Sequence, residues 1–299
     1  VATGSALTHY NFVAHYGLPL KKKEFGVVFM VPMNAPGLKL ICRQSYEMVA
    51  AHVGSPFDYP LSSRFDENDS IMVFDKVLVP WENVFVYDAE RANTFFIGTG
   101  FLQRAMLHGC VRFAVKLDFL SGLFLKAADM IGYQDQRNIQ VHLGEVLTWR
   151  SLFWSIAGGM IQDAVPWVGD TLLPNPAYMD VYRMVSVNAY GRIKELLEQT
   201  LGTSLIYLCS SVEDLKAPEL RPFIDRYIRG SGGRAAVERI KLMKLIWDAL
   251  ASEFGGRHEL YERNYASNWE DVRLQRLMGA TMSGDAEKLK VFVDRCLSE

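Results

Sequence analysis

Cysteine is scarce in this chain: Cys42, Cys110, Cys209 and Cys296 are the only four in 299 residues. They form no C-x-x-C and have no histidine at ligand spacing, which excludes a thiolate zinc site and a disulfide framework and fits reduced thiols in a cytoplasm. The six histidines (9, 15, 52, 108, 142 and 258) make neither H-x-x-x-H nor H-E-x-x-H, so metal-assisted hydrolysis has no ligand set. No G-x-S-x-G is present, which removes the strained elbow that serine hydrolases need. A basic excess is also missing. The formal charge is −2, and the one tight cationic run, Lys21-Lys22-Lys23, is a solvated loop too short for a nucleic-acid surface. No apolar run reaches the roughly 18 residues needed to span a bilayer, and no basic-then-apolar leader opens the chain. The first residue is Val1, not Met, and Val1-Ala2-Thr3-Gly4-Ser5 reads as the continuation of a longer polypeptide.

What is present is ordinary globular composition, 49% hydrophobic and 22% charged, with enough length for two compact units. Up to about Tyr87 the punctuation is β-like. "GVVFMV" (26–31) and "LKLIC" (38–42) flank a turn at Asn34-Ala35-Pro36-Gly37. The polar loop Asp66-Glu67-Asn68-Asp69 then runs into "SIMVFDKVLVP" (70–80), whose nearly unbroken apolar character suggests a strand buried on both faces. Short strands without intervening helices argue for an antiparallel sandwich or barrel. After about Asn93 apolar residues recur at three- and four-residue spacing over 100–132, 136–164, 176–203, 231–254 and 283–298, with Gly132 a helix stop and Ser283 an N-cap. Long helices with short connections make a bundle. The expected class is therefore α+β: an antiparallel β-sandwich or barrel over 1–90, then a C-terminal α-helical bundle over 91–299.

Two glycine-rich spots invite a dinucleotide test. "GTGFLQ" (98–103) and "GSGGRA" (230–235) both lack the third glycine of G-x-G-x-x-G and follow no strand of a βαβ unit, so a Rossmann site is not indicated. His108 and Lys116 sit on an otherwise apolar helix, where packed, hydrogen-bonded roles are expected, and Trp149, Phe153 and Trp154 read as core or subunit contact. "SEFGGRHELYERNY" (252–265) is more suggestive. Two glycines ahead of Arg257, His258 and Glu259 could let the backbone approach a ligand beside a guanidinium and an imidazole, or could mark a helix break with a satisfied ion pair.

Five segments together, "VATGSALTHYNF", "YEMVAAHVGSPFDYPLSSRFDENDSIMVFDKVLVPWENV", "CVRFAVKLDFLSGL", "LGEVLTWRSLFWS" and "SEFGGRHELYERNY", resemble the oxygenase component of two-component, flavin-dependent 4-hydroxyphenylacetate 3-monooxygenases. The similarity runs over essentially all 299 residues, and more distantly the chain looks like the acyl-CoA dehydrogenase fold. The resemblance implies ortho-hydroxylation of 4-hydroxyphenylacetate or a similar para-substituted phenol to a catechol, using O2 through a C4a-hydroperoxyflavin. Its implied cofactor is FAD, supplied as FADH2 by a separate flavin reductase, and its implied assembly is a homotetramer built largely by the C-terminal helices. Thr3 and Ser5 match the family segment that runs beside the flavin ring; Gly256, Arg257, His258, Tyr261 and Asn264 match the C-terminal segment that reaches the flavin. His15, Tyr16, Gly17 and Leu18 match the start of the loop that closes over the phenol. In the family the catalytic Arg, Tyr and His lie in an N-terminal helical domain, so no catalytic residue is assigned within 1–299 and this stretch alone is expected not to hydroxylate. A hydroxylase of another phenol, such as a tyrosine-derived metabolite or a chlorophenol, and a CoA-thioester dehydrogenase or dehydratase on the same fold are the alternatives.

Overall fold

The computed structural model describes residues 8–15, 19–67, 69–266 and 268–298. They divide into two compact units, one comprising Val1–Leu102 with Ser210–Lys216 and the other Gln103–Cys209 with Ala217–Glu299.

In the first unit the strands are β1 (Tyr10–Val13), β2 (Val27–Pro32), β3 (Leu38–Cys42), β4 (Ser70–Phe74) and β5 (Val84–Tyr87), with helices α1 (Tyr46–Val53) and α2 (Ala89–Gly98). Two separate antiparallel sheets result: β1-β2-β5, and the pair β3-β4 in which Leu38 faces Phe74 and Cys42 faces Ser70. Among the described residues no closed barrel is found: the expected sandwich or barrel takes the form of small separate antiparallel sheets, with Phe29 of β2 against Phe74 of β4 at 5.5 Å between ring centroids. The first ladder runs one step past Pro32, with Met33 N–H on His9 O at 2.9 Å, and the turn that follows, with Ala35 N–H on the Pro32 carbonyl at 3.0 Å and Leu38 N–H on Ala35 O at 3.1 Å, delivers the chain into a different sheet.

The apolar run of 70–80 is likewise not one strand buried on both faces. It breaks after Phe74, Lys76 takes a positive φ of 57°, and β5 forms only after a short 3-10 turn at Trp81–Asn83. Leu78 and Trp81 are exposed. Helix α1 intervenes between β3 and β4, held at its start by Ser45, whose side chain accepts from Met48 N–H, and by Asp66, which accepts from Tyr46 N–H at 2.8 Å. Segment 210–216 closes this unit: Asp58 is buried and accepts Val212 N–H at 3.0 Å.

The second unit is helical: α3 (Phe101–Ile131, its first two residues in the other unit), α4 (Arg137–Gln162), α5 (Pro176–Ile206), α6 (Arg221–Tyr227), α7 (Ala236–Leu250), α8 (Glu253–Asn264), α9 (Trp269–Met282) and α10 (Asp285–Ser298). Helix α3 buries Cys110, Phe113, Leu117, Phe124 and Ala128, a stripe at three- to four-residue spacing. It stops at Gly132, whose φ of 76° and the Tyr133 N–H on Ala128 O at 2.8 Å make a left-handed cap. Asn175 caps α5 through Ala177 N–H at 2.9 Å, with Pro176 in the first turn.

Residues 231–254, expected as one helix, are two pieces. The 3-10 turn Ser231–Gly233 precedes α7, and a break at Ala251-Ser252 starts α8. Ser252 Oγ accepts Gly255 N–H at 3.1 Å. A side chain on Gly255 would lie 2.8 Å from Leu250 backbone atoms, so this glycine is required by the chain's own turn. Ser283, expected as an N-cap, accepts Asp285 N–H at 3.4 Å ahead of α10. No helix among the described residues is long and apolar enough to cross a membrane.

Candidate functional site

Within the helical unit, α3 and α8 place their charged residues on one another. Arg112 and Lys116 lie four apart on α3, hence on one face, and His258 and Glu262 lie four apart on α8. Glu262 is buried, with 2% of its side chain exposed, and accepts a bidentate pair from Arg112 at 2.6 and 3.0 Å. Lys116 donates to the same carboxylate and stands 3.2 Å from His258 Nδ1. The Arg112 guanidinium lies over two rings, 4.5 Å from the centroid of Tyr261 and 4.8 Å from that of Tyr265. Phe254 covers the imidazole of His258 at 4.3 Å between ring centroids.

Small residues let this packing occur. A side chain on Gly109 would lie 2.6 Å from the Tyr265 ring and 2.7 Å from the Tyr182 hydroxyl, so only glycine admits both phenols against α3. Lys194 of α5 pairs with Glu259 at 2.6 Å and fixes the outer side of α8.

Electrostatically the cluster has two cations for one carboxylate. Burial alone would lower the Arg112 pKa, but the charge and hydrogen bonds of Glu262 outweigh it and push it above its ordinary value. Burial pushes the phenols of Tyr182, Tyr190 and Tyr265 up, so they stay neutral donors at physiological pH. The result is a partly buried cationic patch faced with aromatic rings, chemistry suited to a planar, electron-rich or anionic group. Among the described residues no group of three or more His, Cys, Asp or Glu side chains could hold a metal ion.

The residues expected from sequence are distributed unevenly about this cluster. His258 and Tyr261 are in it. Gly256 and Arg257 precede them in the first turns of α8, both half-buried, and Asn264 ends the helix with its amide donating to Leu260 O at 2.7 Å. His15 lies just past β1 and is half-buried. Thr3, Ser5, Tyr16, Gly17 and Leu18 lie outside the described residues. Lys116 is packed and hydrogen-bonded as expected, whereas His108 is exposed, with only a 3.4 Å approach of Nδ1 to the Tyr265 hydroxyl. Sequence reading missed Arg112, Gly109 and Glu262. The available signal was the four-residue spacing of Arg112 with Lys116 and of His258 with Glu262, which marks two facing edges only once the helices are known to meet.

A small antiparallel β unit followed by a unit of long helices is an acyl-CoA dehydrogenase-like fold. The chain belongs to the 4-hydroxyphenylacetate 3-hydroxylase family: the family's N-terminal profile matches residues 1–86 and its C-terminal profile residues 92–294. It is 54% identical over 299 residues to the oxygenase component of 4-nitrophenol 2-monooxygenase from a Rhodococcus species, covering all of this chain and 57% of that protein. It is 51% identical over 300 aligned residues, again all of this chain and 57% of the relative, to a Streptomyces globisporus monooxygenase of (3S)-3-amino-3-(3-chloro-4-hydroxyphenyl)propanoyl attached to a peptidyl-carrier protein. The fold matches the crystal structure of the oxygenase component of 4-hydroxyphenylacetate 3-monooxygenase complexed with FAD and 4-hydroxyphenylacetate, with a TM-score of 0.87 and 29% identity over 97% of this chain and 60% of that one. The chain thus spans under two thirds of the length of these relatives.

Proposed function

We propose that the protein represented by this chain hydroxylates 4-hydroxyphenylacetate or a similar para-substituted phenol ortho to its hydroxyl, with O2 and with FADH2 delivered by a separate reductase, and that this chain holds part of the flavin. The observation that carries the reading is that relatives named for oxygenation of para-substituted phenols align with the whole chain at 54% and 51% identity. Both substrates named there carry a ring hydroxyl para to another substituent, which is the class proposed here.

The donor set supports a flavin. An isoalloxazine is flat, edged with carbonyl and ring-nitrogen acceptors, and anionic when reduced, whereas the α3–α8 seam offers surplus positive charge, phenols and an imidazole. In this reading Arg257, His258, Tyr261 and Asn264, with the Gly256 backbone and with Thr3 and Ser5, hold the cofactor, and His15, Tyr16, Gly17 and Leu18 close over the phenol. Bound there, FADH2 supplies the electrons that activate O2. The chain's own part is to bind, to orient and to keep water away, because reduced oxygen species exposed to water are lost before they meet the ring. Exposed apolar residues on α9 and α10, among them Leu277, Met282, Phe292 and Leu297, support assembly through the C-terminal helices, which in the proposed state is a homotetramer. Four free cysteines suit a cytoplasmic setting.

Anaerobic titration of reduced FAD into the purified chain, followed by fluorescence, tests the flavin assignment. Saturable binding, weakened about tenfold by Tyr261→Ala (a loss of ~1.4 kcal/mol), is expected. Absence of binding would overturn the assignment of flavin contacts to this chain, and light scattering that shows only monomer would overturn the tetramer.

A further inference from the structure

An ammonium group carries three N–H donors and no lone pair, so wherever Lys116 meets a ring nitrogen at hydrogen-bond distance the lysine must donate. It stands 3.2 Å from His258 Nδ1, which is therefore the unprotonated nitrogen, and the proton of a neutral imidazole must sit on Nε2. Lys116 is kept charged and aimed by the buried carboxylate of Glu262, which it shares with Arg112.

The surrounding charges favour the same state. Arg112 and Lys116 already exceed Glu262 by one positive charge, and an imidazolium would add another beside them. On α5, Tyr182 and Tyr190 are held neutral by burial, and Lys194 is neutralised by Glu259 of α8, which also takes Arg263. Helix α7 carries buried Lys244 and Asp248, one charge of each sign. Phe254, 4.3 Å from the imidazole, adds an apolar wall that disfavours a charged ring.

We propose that Lys116, anchored by Glu262, locks His258 as a neutral imidazole protonated at the buried Nε2, so that the α3–α8 seam holds no switchable charge at this ring. Lys116 and Glu262 are then positioning residues for His258. That the locked ring stands beside a flavin rests on the function proposed above; the locked tautomer does not.

The test is 15N–1H NMR of the purified chain labelled at histidine ring nitrogens, recorded from about pH 8 to about pH 5, the range in which an unperturbed histidine changes charge. The His258 resonances are assigned by their loss in His258→Gln. The wild-type chain is expected to show an unprotonated Nδ1 and a protonated Nε2 throughout. Lys116→Met is expected to lose this pattern, with mixed tautomers at the upper end and imidazolium at the lower, and Lys116→Arg, which keeps a charged donor, to restore it. A wild-type ring protonated at Nδ1, or one that becomes imidazolium within the range, overturns the proposal even if no variant folds; so does a Lys116→Met spectrum identical to wild type. Reduced FAD titrated into the same samples separates the two ideas: a locked tautomer without flavin binding sinks the functional reading and leaves the lock intact.

Discussion

Glu262 is a carboxylate with almost no access to water, and its two partners are cations that are only partly open to it, with Arg112 and Lys116 exposing 25% and 19% of their side chains. A buried carboxylate is tolerated only while paired, and each partner is tolerated for the same reason. Glu262→Gln is therefore expected to cost about 3–5 kcal/mol, the range for leaving buried charge uncompensated, read as a lower denaturant midpoint at unchanged slope. A loss below about 1 kcal/mol would mean that water or another anion neutralises the two cations. The same residue shows why the site was only partly legible in the sequence. His258 stood out beside two glycines and Arg257, and Tyr261 came with the family resemblance, whereas Glu262 looked like one more acidic residue in "ELYERN". What distinguishes it is the approach of Arg112 from 150 positions away, and local spacing carries no information about that.

At the scale of single elements, α1 depends on one carboxylate. Asp66 accepts Tyr46 N–H at 2.8 Å and Glu47 N–H at 3.4 Å at the helix start, and binds the Arg43 guanidinium. Burial by itself would raise the Asp66 pKa, but the Arg43 hydrogen bond and charge, with the two amides, bring it below its ordinary value. A carboxylate whose pKa is depressed in the folded state contributes stability that is fully present above the unfolded value, about 3.9, and is lost as pH falls through the folded value. The first unit should accordingly weaken below about pH 4. Asp66→Asn should be less stable near neutral pH and show a shallower acid limb, measured by unfolding at a series of pH values; an acid limb unchanged in the variant would show that other carboxylates govern it. The stretch 66–80 was read from sequence as a polar loop leading into a buried strand. The loop is there, and through Asp66 it also caps a helix. The strand ends at Phe74, because Lys76 turns the backbone and Leu78 and Trp81 face outward.

At the scale of the whole molecule the two units differ in how much they bury. The helical unit encloses Phe113, Phe124, Phe153, Tyr182, Tyr190, Leu196, Leu197 and Leu201, all essentially without solvent access, while the apolar core of the β unit is made of smaller pieces, chiefly Val28, Val31, Ala35, Ala50 and Ala92. Buried area is the main driving force of folding, so local opening should be easiest where least is buried. Hydrogen exchange read by mass spectrometry is expected to find the slowest amides in α3, α4 and α5 and much faster exchange in β1 and in α10, which buries no residue. Protection of β1 equal to that of α5 would contradict this ranking.

Identity and extent of the three longest helices were determined by the sequence itself: apolar residues three and four apart, Gly132, Asn175 and Pro176 specify α3, α4 and α5 locally, because turn geometry and caps depend on neighbours a few residues away. The short strands at 27–32 and 38–42 were legible for the same reason. Only the tertiary structure decided that these strands go into separate sheets, that Ser252 and Gly255 turn one expected helix into two, and that Arg112, Lys116, His258 and Glu262 converge. Those outcomes depend on which surfaces meet across long sequence separations. That choice is made by the burial and charge pairing of the whole chain, and no short window of sequence contains it.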